Sequence, residues 1–216
     1  MVHSAIATPS HLRDVGRIVL DEARRERVTV VVPAFQGVTN QLLDAARLAE
    51  RGDTLYERSF DAIARRHRAA VDALTSGRRR ARTRRDVDEM LARLHEALQG
   101  IHLLRHCPPR GLDLAASFGE RLSPLTFAAY LDRSQPAAFA DAREFVVTDD
   151  QFTQATIGHA ARLSSRRSLD HLGLPTRAAS LRAPPDQTQG LAGDPPRAWS
   201  SERVLDDLPG PDPVTA

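Results

Sequence analysis

The feature that most constrains the fold is a run of β-branched residues, Val28–Pro33 (VTVVVP), followed by a loop that contains glycine. Because the run is short and rich in valine, it predicts a buried, parallel strand that ends at Pro33. A loop follows at 34–40, and a helical pattern runs from Gln41 to Arg51. Strand, short loop and helix in this order predict an α/β sheet with a ligand site at the carboxyl end of the strand.

Helical periodicity is visible in four other segments. A Thr-Pro start predicts a helix over residues 9–27, and apolar residues at steps of three and four predict longer helices over 54–76 and 86–105. The segment 117–123 (SFGERLS) is predicted to open a helix that reaches Asp132. Alternation of strands and helices along the chain predicts an α/β fold.

The end of the chain differs in composition from the rest. Short strands are predicted at 136–140 and 145–147, but eight of the 14 prolines lie beyond Arg162, where apolar residues keep no period. Two regions follow from this contrast. Residues 1–160 form the domain, with a helix-rich insertion at about 54–105, and the proline-rich residues 161–216 are predicted to be a disordered tail.

Composition excludes several functions. The chain contains no lysine, so all 30 cationic residues are arginines, and a Walker phosphate loop or a Schiff base would lack its lysine. The net charge of +2 does not predict a polyanionic partner. The one cysteine cannot form an internal disulfide, and no apolar run approaches the roughly 20 residues of a membrane helix. With no signal-peptide pattern at Met1–Ser4, a cytoplasmic protein without membrane partners is expected.

Two other patterns are interpreted as structural. The cluster Arg78–Arg85 (RRRARTRR) could bind nucleic-acid phosphates, but it contains no aromatic residue and follows Gly77, so a solvated turn is favoured and nucleic acid is not expected. His102 and His106, beside Cys107, form the one i, i+4 histidine pair. One helical turn before a proline break is weak support for a metal centre, so no metal site is predicted.

Two segments are suited to binding a small anion or amino acid. Gly37 and Gly119 allow backbone amides to approach a carboxylate or phosphate, and a helix start nearby adds a favourable dipole. A carboxylate such as Glu120 in this position suits an ammonium group. Caps and turns explain each motif alone equally well. The possible loop contacts are Gly37, Asn40, Ser117 and Gly119.

In order and spacing, these segments resemble the catalytic domain of the aspartokinases, within the amino-acid kinase superfamily. The resemblance runs from about Ser4 to Ile157. It is carried by IATP at 6–9, LRDV at 12–15, VVVPAFQGVTN at 30–40, HLL at 102–104, SFGERLS at 117–123 and DAREFVVTDD at 141–150. It implies a partial three-layer α/β sandwich. The family reaction transfers the γ-phosphoryl group of Mg-ATP to the side-chain carboxylate of aspartate, the entry step to lysine, threonine and methionine.

The resemblance also implies roles for individual residues. Thr39 and Glu120 occupy positions that bind L-aspartate, with Glu120 facing the substrate ammonium group, while ATP and Mg²⁺ are the family's cofactors. The family's Lys-Phe-Gly-Gly-Thr-Ser motif holds the transferring phosphoryl group, but here Val2–Ala5 stands in place of Gly-Gly-Thr-Ser, and its lysine position would precede Met1. The family's nucleotide-binding segments further along have no counterpart. The chain is therefore expected to be catalytically incompetent, and no catalytic residue is assigned.

Two alternatives remain open. The chain could be a non-catalytic partner of a full-length kinase subunit, or a homo-oligomer, that uses the helices at 54–76 and 86–105. It could instead bind nucleic acid through Arg78–Arg85. Because the first strand of the family's sheet is absent, an exposed sheet edge and low stability are also expected.

Overall fold

The computed structural model describes residues 9–144, 146, 148, 149, 151 and 152, and its regular secondary structure is helical. In chain order the elements are α1 (Pro9–Glu22), α2 (Val38–Glu50), α3 (Leu55–Leu74), α4 (Gly77–Leu104), α5 (Pro109–Leu131) and a 3-10 turn (Ala142–Glu144). None of the helices in these ranges is both long enough and apolar enough to cross a membrane.

One apolar core joins the helices. Each of α2, α3, α4 and α5 contacts the other three, and α1 packs on α3 and α5. The apolar stripe of every helix faces this centre, as amphipathic periodicity requires. Its fully buried large side chains include Leu12, Leu42, Ile63, Val71, Leu91, Leu94, Leu98, Leu122 and Phe127.

The segment Val28–Pro33 does not form the predicted strand. It has no regular secondary structure, and exposure alternates only at its end, where Val32 is buried between exposed Val31 and Pro33. A strand requires hydrogen bonds to a neighbouring strand, and no such ladder exists among the described residues, where Phe35 alone forms an isolated bridge. Residues 136–140 are not a strand either. The α/β sandwich is therefore not confirmed for the described part of the chain.

The helix boundaries were predicted unevenly. The prediction for α3 is confirmed within two residues, but α1 ends at Glu22 rather than at Arg27, because the charged residues that follow have no apolar face to pack. Helix α2 begins three residues early, directly after Gly37, whose φ of 78° is the left-handed value that glycine adopts without strain.

Two helices begin much earlier than predicted. Helix α4 starts at Gly77 instead of Asp86, since buried Thr83 extends the apolar stripe of the helix toward its N-terminus, so the predicted turn at Arg78–Arg85 is wrong. Helix α5 starts at Pro109, where proline suits the first helical turn, and it continues through Pro124. SFGERLS is therefore the middle of a helix and not its opening.

Several predictions lie outside the described residues. These include the proline-rich tail at 161–216, the start of the resemblance at residues 4–8, and two of the three residues of the predicted strand at 145–147. The division of the chain near residue 160 remains a prediction.

Candidate functional site

The loop before α2 and the middle of α5 meet at Gly119. A methyl group at Gly119 would lie 2.9 Å from Cβ of Ala34, 3.2 Å from Cδ1 of Leu42 and 3.5 Å from Cγ1 of Val38. The first of these distances is too short for two packed carbon atoms, so glycine is what allows α5 to pass this close to the start of α2. The structure thus brings together the two segments predicted to form a site.

A hydrogen bond fixes the same junction from the other side. The buried hydroxyl of Ser123 donates to the carbonyl oxygen of Pro33 over 2.7 Å. Pro33 ends the valine-rich segment, so this bond attaches the segment to α5, one helical turn beyond Gly119. The residue directly before the loop at 34–37 is therefore fixed to α5.

Two consecutive residues of α3 hold the tip of the loop. The ring of Phe35 stacks on that of His67, with centroids 4.9 Å apart and planes 15° apart. Arg66 donates from Nη1 to the carbonyl oxygen of Gln36 over 2.7 Å, and its guanidinium carbon lies 5.9 Å from the centre of the Phe35 ring. The loop is thus fastened through both a side chain and a backbone carbonyl.

His67 is a neutral residue in this arrangement. It is fully buried, and burial lowers its pKa to about 4. Because Nδ1 lies 2.9 Å from the carbonyl oxygen of Ile63, which can only accept, the proton resides on Nδ1. Nε2 is buried without a hydrogen-bond partner among the described residues.

The candidate contacts at the start of α2 lie where a helix-terminus site requires them. Gly37 precedes the first turn, and Thr39 and Asn40 lie within it. The amides of Val38 and Gln41 bond to the carbonyls of Phe35 and Gly37 over 2.9 and 3.1 Å. The first-turn amides between them, those of Thr39 and Asn40, have no such bond within the described chain, as is usual at a helix start.

The candidate contacts on α5 lie elsewhere than predicted. Ser117, Gly119 and Glu120 follow two or more helical turns of α5, so the N-terminus of α5 itself does not lie beside them, and the Ser117 hydroxyl donates to the Leu114 carbonyl over 2.7 Å. Pro109 explains the difference, because it starts the helix earlier. Glu120 is exposed to solvent on one side, yet partial burial of its carboxyl group raises its pKa.

A buried ion pair adjoins this turn of α5, and sequence reasoning missed it. Arg121 and Asp141 have side chains only 10% exposed and lie 3.0 Å apart, from Nε to Oδ2. Arg143 adds a 2.8 Å contact to the same oxygen. Burial opposes ionisation of Asp141, but the hydrogen bonds from Arg143 and the charge of Arg121 outweigh it and lower its pKa. The two partners are 20 positions apart in the sequence, so no local pattern pairs them.

Comparisons with known proteins show which proteins this chain is similar to. No protein-family model matches the chain. It is 29% identical over 164 residues to aspartokinase 3, chloroplastic, of Arabidopsis thaliana, which covers 71% of this chain and 27% of the relative. It is also 29% identical over 165 residues to aspartokinase 2, chloroplastic, of the same plant, covering 71% and 28%. The T-state structure of E. coli aspartokinase III in complex with lysine and aspartate matches with a TM-score of 0.64 and 25% identity.

The chain contains an aspartokinase-like region. The match to the solved E. coli structure covers 79% of this chain and 37% of the E. coli chain, so it includes most of this chain and a minor part of the E. coli protein. Measured against the two Arabidopsis relatives, the chain spans about a quarter of their length. The aspartokinase-like region is therefore established, whereas the activity of the complete relatives is not thereby transferred.

An open hollow of about 210 Å³ lies between α4 and α5 of the aspartokinase-like region. Asp86, Glu89, Met90, Arg93, Arg121 and Leu125 line it. Neither Thr39 nor Glu120 contributes to it, so this hollow is separate from the junction of α2 and α5.

The basic cluster Arg78–Arg85 is part of the helical framework. Arg79 contacts Asp132 at the end of α5 over 3.1 Å, and Arg84 contacts Asp72 of α3 over 2.7 Å. Two arginines of the cluster therefore join α4 to its neighbours through ion pairs.

Histidines and the cysteine are dispersed in the aspartokinase-like region. His102 packs its ring 5.1 Å from that of Tyr56, while His106 is exposed beyond α4. Across the described ranges, no three His, Cys, Asp or Glu side chains are arranged to hold a metal ion. Cys107 is buried, its amide donates to Oε1 of Glu50 over 3.0 Å, and burial raises its thiol pKa.

Proposed function

We propose that this chain binds L-aspartate where the start of α2 meets the middle of α5, and that it does not transfer phosphoryl groups by itself. The observation that carries the proposal is the approach of Gly119 to Ala34 and Val38, 2.9 and 3.5 Å from a methyl group at that position. This approach brings the turn that carries Glu120 to the helix start that carries Thr39.

The chemistry of the two elements supports an amino-acid ligand. The first-turn amides of Thr39 and Asn40 and the positive end of the helix dipole favour a carboxylate. Glu120 supplies the opposite charge for an ammonium group. Aspartate carries both groups, and the resemblance assigns Thr39 and Glu120 to that substrate. Partial burial strengthens the interaction of Glu120 with a cation, because fewer water molecules screen it.

The absence of lysine supports catalytic incompetence. Phosphoryl transfer depends on positioned positive charge, and the family places a lysine against the transferring group. None of the 216 residues is a lysine, and a planar guanidinium does not replace a compact ammonium group at such a position. ATP and Mg²⁺ remain the cofactors of the family reaction, and we propose that this chain alone does not use them.

Calorimetric titration with L-aspartate tests the binding proposal. Glu120→Gln keeps the size of the side chain and removes its charge, so the loss of a charge-assisted hydrogen bond is expected to weaken binding about tenfold or more. Glu96→Gln is the matched control, because Glu96 is exposed on α4, away from the junction. Equal affinities of the two variants would exclude Glu120 from the site.

Trapping of acyl phosphate tests the catalytic proposal. The chain is incubated with Mg-ATP, L-aspartate and hydroxylamine beside an active aspartokinase, and no hydroxamate above the reaction without aspartate is expected. Hydroxamate formed by this chain above that background would refute incompetence and leave the binding proposal intact.

A further inference from the structure

Helix α3 holds the loop at 34–37 through side chains that sequence reasoning did not single out. His67 contributes a flat, neutral ring parallel to Phe35, and Arg66 contributes a hydrogen bond to the Gln36 carbonyl. With the Ser123 bond at Pro33, these contacts secure three positions within four residues. Loops that carry binding residues are positioned by the rigid elements around them, and α3 and α5 position this loop.

The end of the loop next to α2 is bonded back to Phe35, because the amide of Val38 donates to the Phe35 carbonyl over 2.9 Å. Gly37 has a positive φ, and a methyl group built on it would meet no atom of the described residues within 4 Å. Gln36 and Gly37 are exposed. The contacts that hold Phe35 and Gln36 therefore also hold the residues through which the chain enters α2.

We propose that Arg66 and His67 are positioning residues for the ligand site at the start of α2. They fix the loop so that the amides of Thr39 and Asn40 are presented in one orientation. This inference rests on the proposed function, since it takes the α2 start as the place where the carboxylate of L-aspartate binds. Neither residue touches the ligand. Each acts through the loop.

Nε2 of His67 has no hydrogen-bond partner in the described part of the chain, which supports a role for the ring itself. A buried nitrogen without a partner is unfavourable, so an aliphatic side chain of similar size would fill the space without that cost. What an aliphatic residue cannot provide is a flat face against Phe35. His67→Phe keeps the face and removes the nitrogen atoms, whereas His67→Leu removes the face.

Two measurements on the full chain test the inference. Hydrogen exchange read by mass spectrometry follows the peptide that covers residues 34–42, and calorimetry gives the Kd for L-aspartate. The variants are His67→Leu, His67→Phe and Arg66→Met, with Arg65→Met as the control because Arg65 is the exposed neighbour on the same helix.

His67→Leu removes the stacking on Phe35, and Arg66→Met removes the hydrogen bond to Gln36. Each variant is expected to raise the Kd for L-aspartate at least fivefold and to speed exchange of the loop peptide severalfold, while peptides of α4 keep their protection. His67→Phe should restore both values to within about twofold of the wild type. If His67→Leu unfolds the chain, Arg66→Met alone tests the inference, because removing an exposed hydrogen bond is not expected to unfold the chain.

Two results would overturn the inference. In the first, Arg66→Met and His67→Leu match Arg65→Met in both measurements. In the second, His67→Phe binds L-aspartate as weakly and exchanges its loop peptide as fast as His67→Leu, which would show that the flat ring against Phe35 does not hold the loop. If the wild-type chain binds no L-aspartate, the proposed function fails, and loop exchange alone still supports or refutes the fastening.

Discussion

Gly119 shows how one absent methyl group sets the distance between two helices. Gly119→Ala is expected to destabilise the chain by about 1–3 kcal/mol, because the new methyl group meets Cβ of Ala34 at 2.9 Å and neither backbone can retreat freely. Urea unfolding followed by circular dichroism measures the change.

Gly100 provides a matched control for that substitution. It is also a helical glycine, on α4, but within the ranges that the structure describes a methyl group there meets no atom within 4 Å. Gly100→Ala should therefore be neutral or stabilise by up to about 1 kcal/mol, because alanine favours helix. Equal effects of the two alanines would mean that α2 and α5 do not approach as described.

The Arg121–Asp141 pair is expected to behave as a buried ion pair. Asp141→Asn leaves Arg121 without its counter-charge in a site only 10% exposed, so a loss of about 3 kcal/mol is expected in urea unfolding at pH 7. Asp14→Asn breaks an exposed contact with Arg17 and should cost less than about 0.5 kcal/mol. A small loss for Asp141→Asn would show that Arg121 reaches solvent.

The resemblance names single residues, Thr39 and Glu120, because each lies in a contiguous motif. Their role in binding L-aspartate stays a prediction. The pairing of Arg121 with Asp141 and the stacking of Phe35 on His67 join residues that are far apart in sequence, so no local pattern reveals them.

At the level of elements, helix α3 was predictable because its apolar positions keep the helical period between clear breakers. Helix α4 was misjudged at its start, because eight consecutive positions rich in arginine conceal the period there. Those turns are stabilised by Thr83, which is buried, and by ion pairs to other helices. Such partners are invisible in the sequence of the helix itself.

The first turns of α4 should therefore depend on two arginines and not on their neighbours. Arg79→Met combined with Arg84→Met removes contacts to Asp132 and Asp72 and is expected to cost about 1 kcal/mol, since both pairs are partly exposed. Hydrogen exchange should rise in the peptide covering 77–86.

Exposed arginines of the same cluster supply the comparison. Arg80→Met combined with Arg82→Met should leave exchange unchanged, and 1 M NaCl should reduce the difference between the two double variants because salt screens exposed ion pairs. Equal exchange in both variants would mean that the ion pairs do not hold the helix end.

On the scale of the whole molecule, the helical framework was largely predictable and the sheet was not. An amphipathic helix can be predicted from the periodicity of its own sequence, whereas a strand requires hydrogen bonds to a neighbouring strand. Val28–Pro33 is rich in β-branched residues, and Ser123 of α5 holds its end, yet no ladder partner exists among the described residues. The sequence of this segment alone therefore could not distinguish a strand in a sheet from an extended segment that packs on helices.

Global stability should depend on pH through His67. Its folded pKa of about 4 lies below the ordinary value of 6.5, so between these values the unfolded chain binds the extra proton. Stability is thus complete above pH 6.5 and falls on acidification, by up to about 1.4 kcal/mol per pH unit and about 3 kcal/mol in all. Urea unfolding between pH 7.5 and 4.5 measures this slope.

His67→Phe separates that contribution from other titrating groups. The variant has no imidazole to protonate, so its stability should decline less between pH 6.5 and 4.5 than that of the wild type. Parallel profiles for the two proteins would show that His67 is accessible to protons in the folded state.

The position of Cys107 has a kinetic consequence. Its thiol is buried where α4 gives way to α5, its amide is bonded to Glu50 of α2, and the sequence contains no second cysteine. A thiol reagent can therefore react with the native chain only when this junction opens. The ratio of the reaction rate in the folded chain to the rate in urea gives the fraction of time for which α2, α4 and α5 are separated at this point. No cysteine has to be introduced for the measurement.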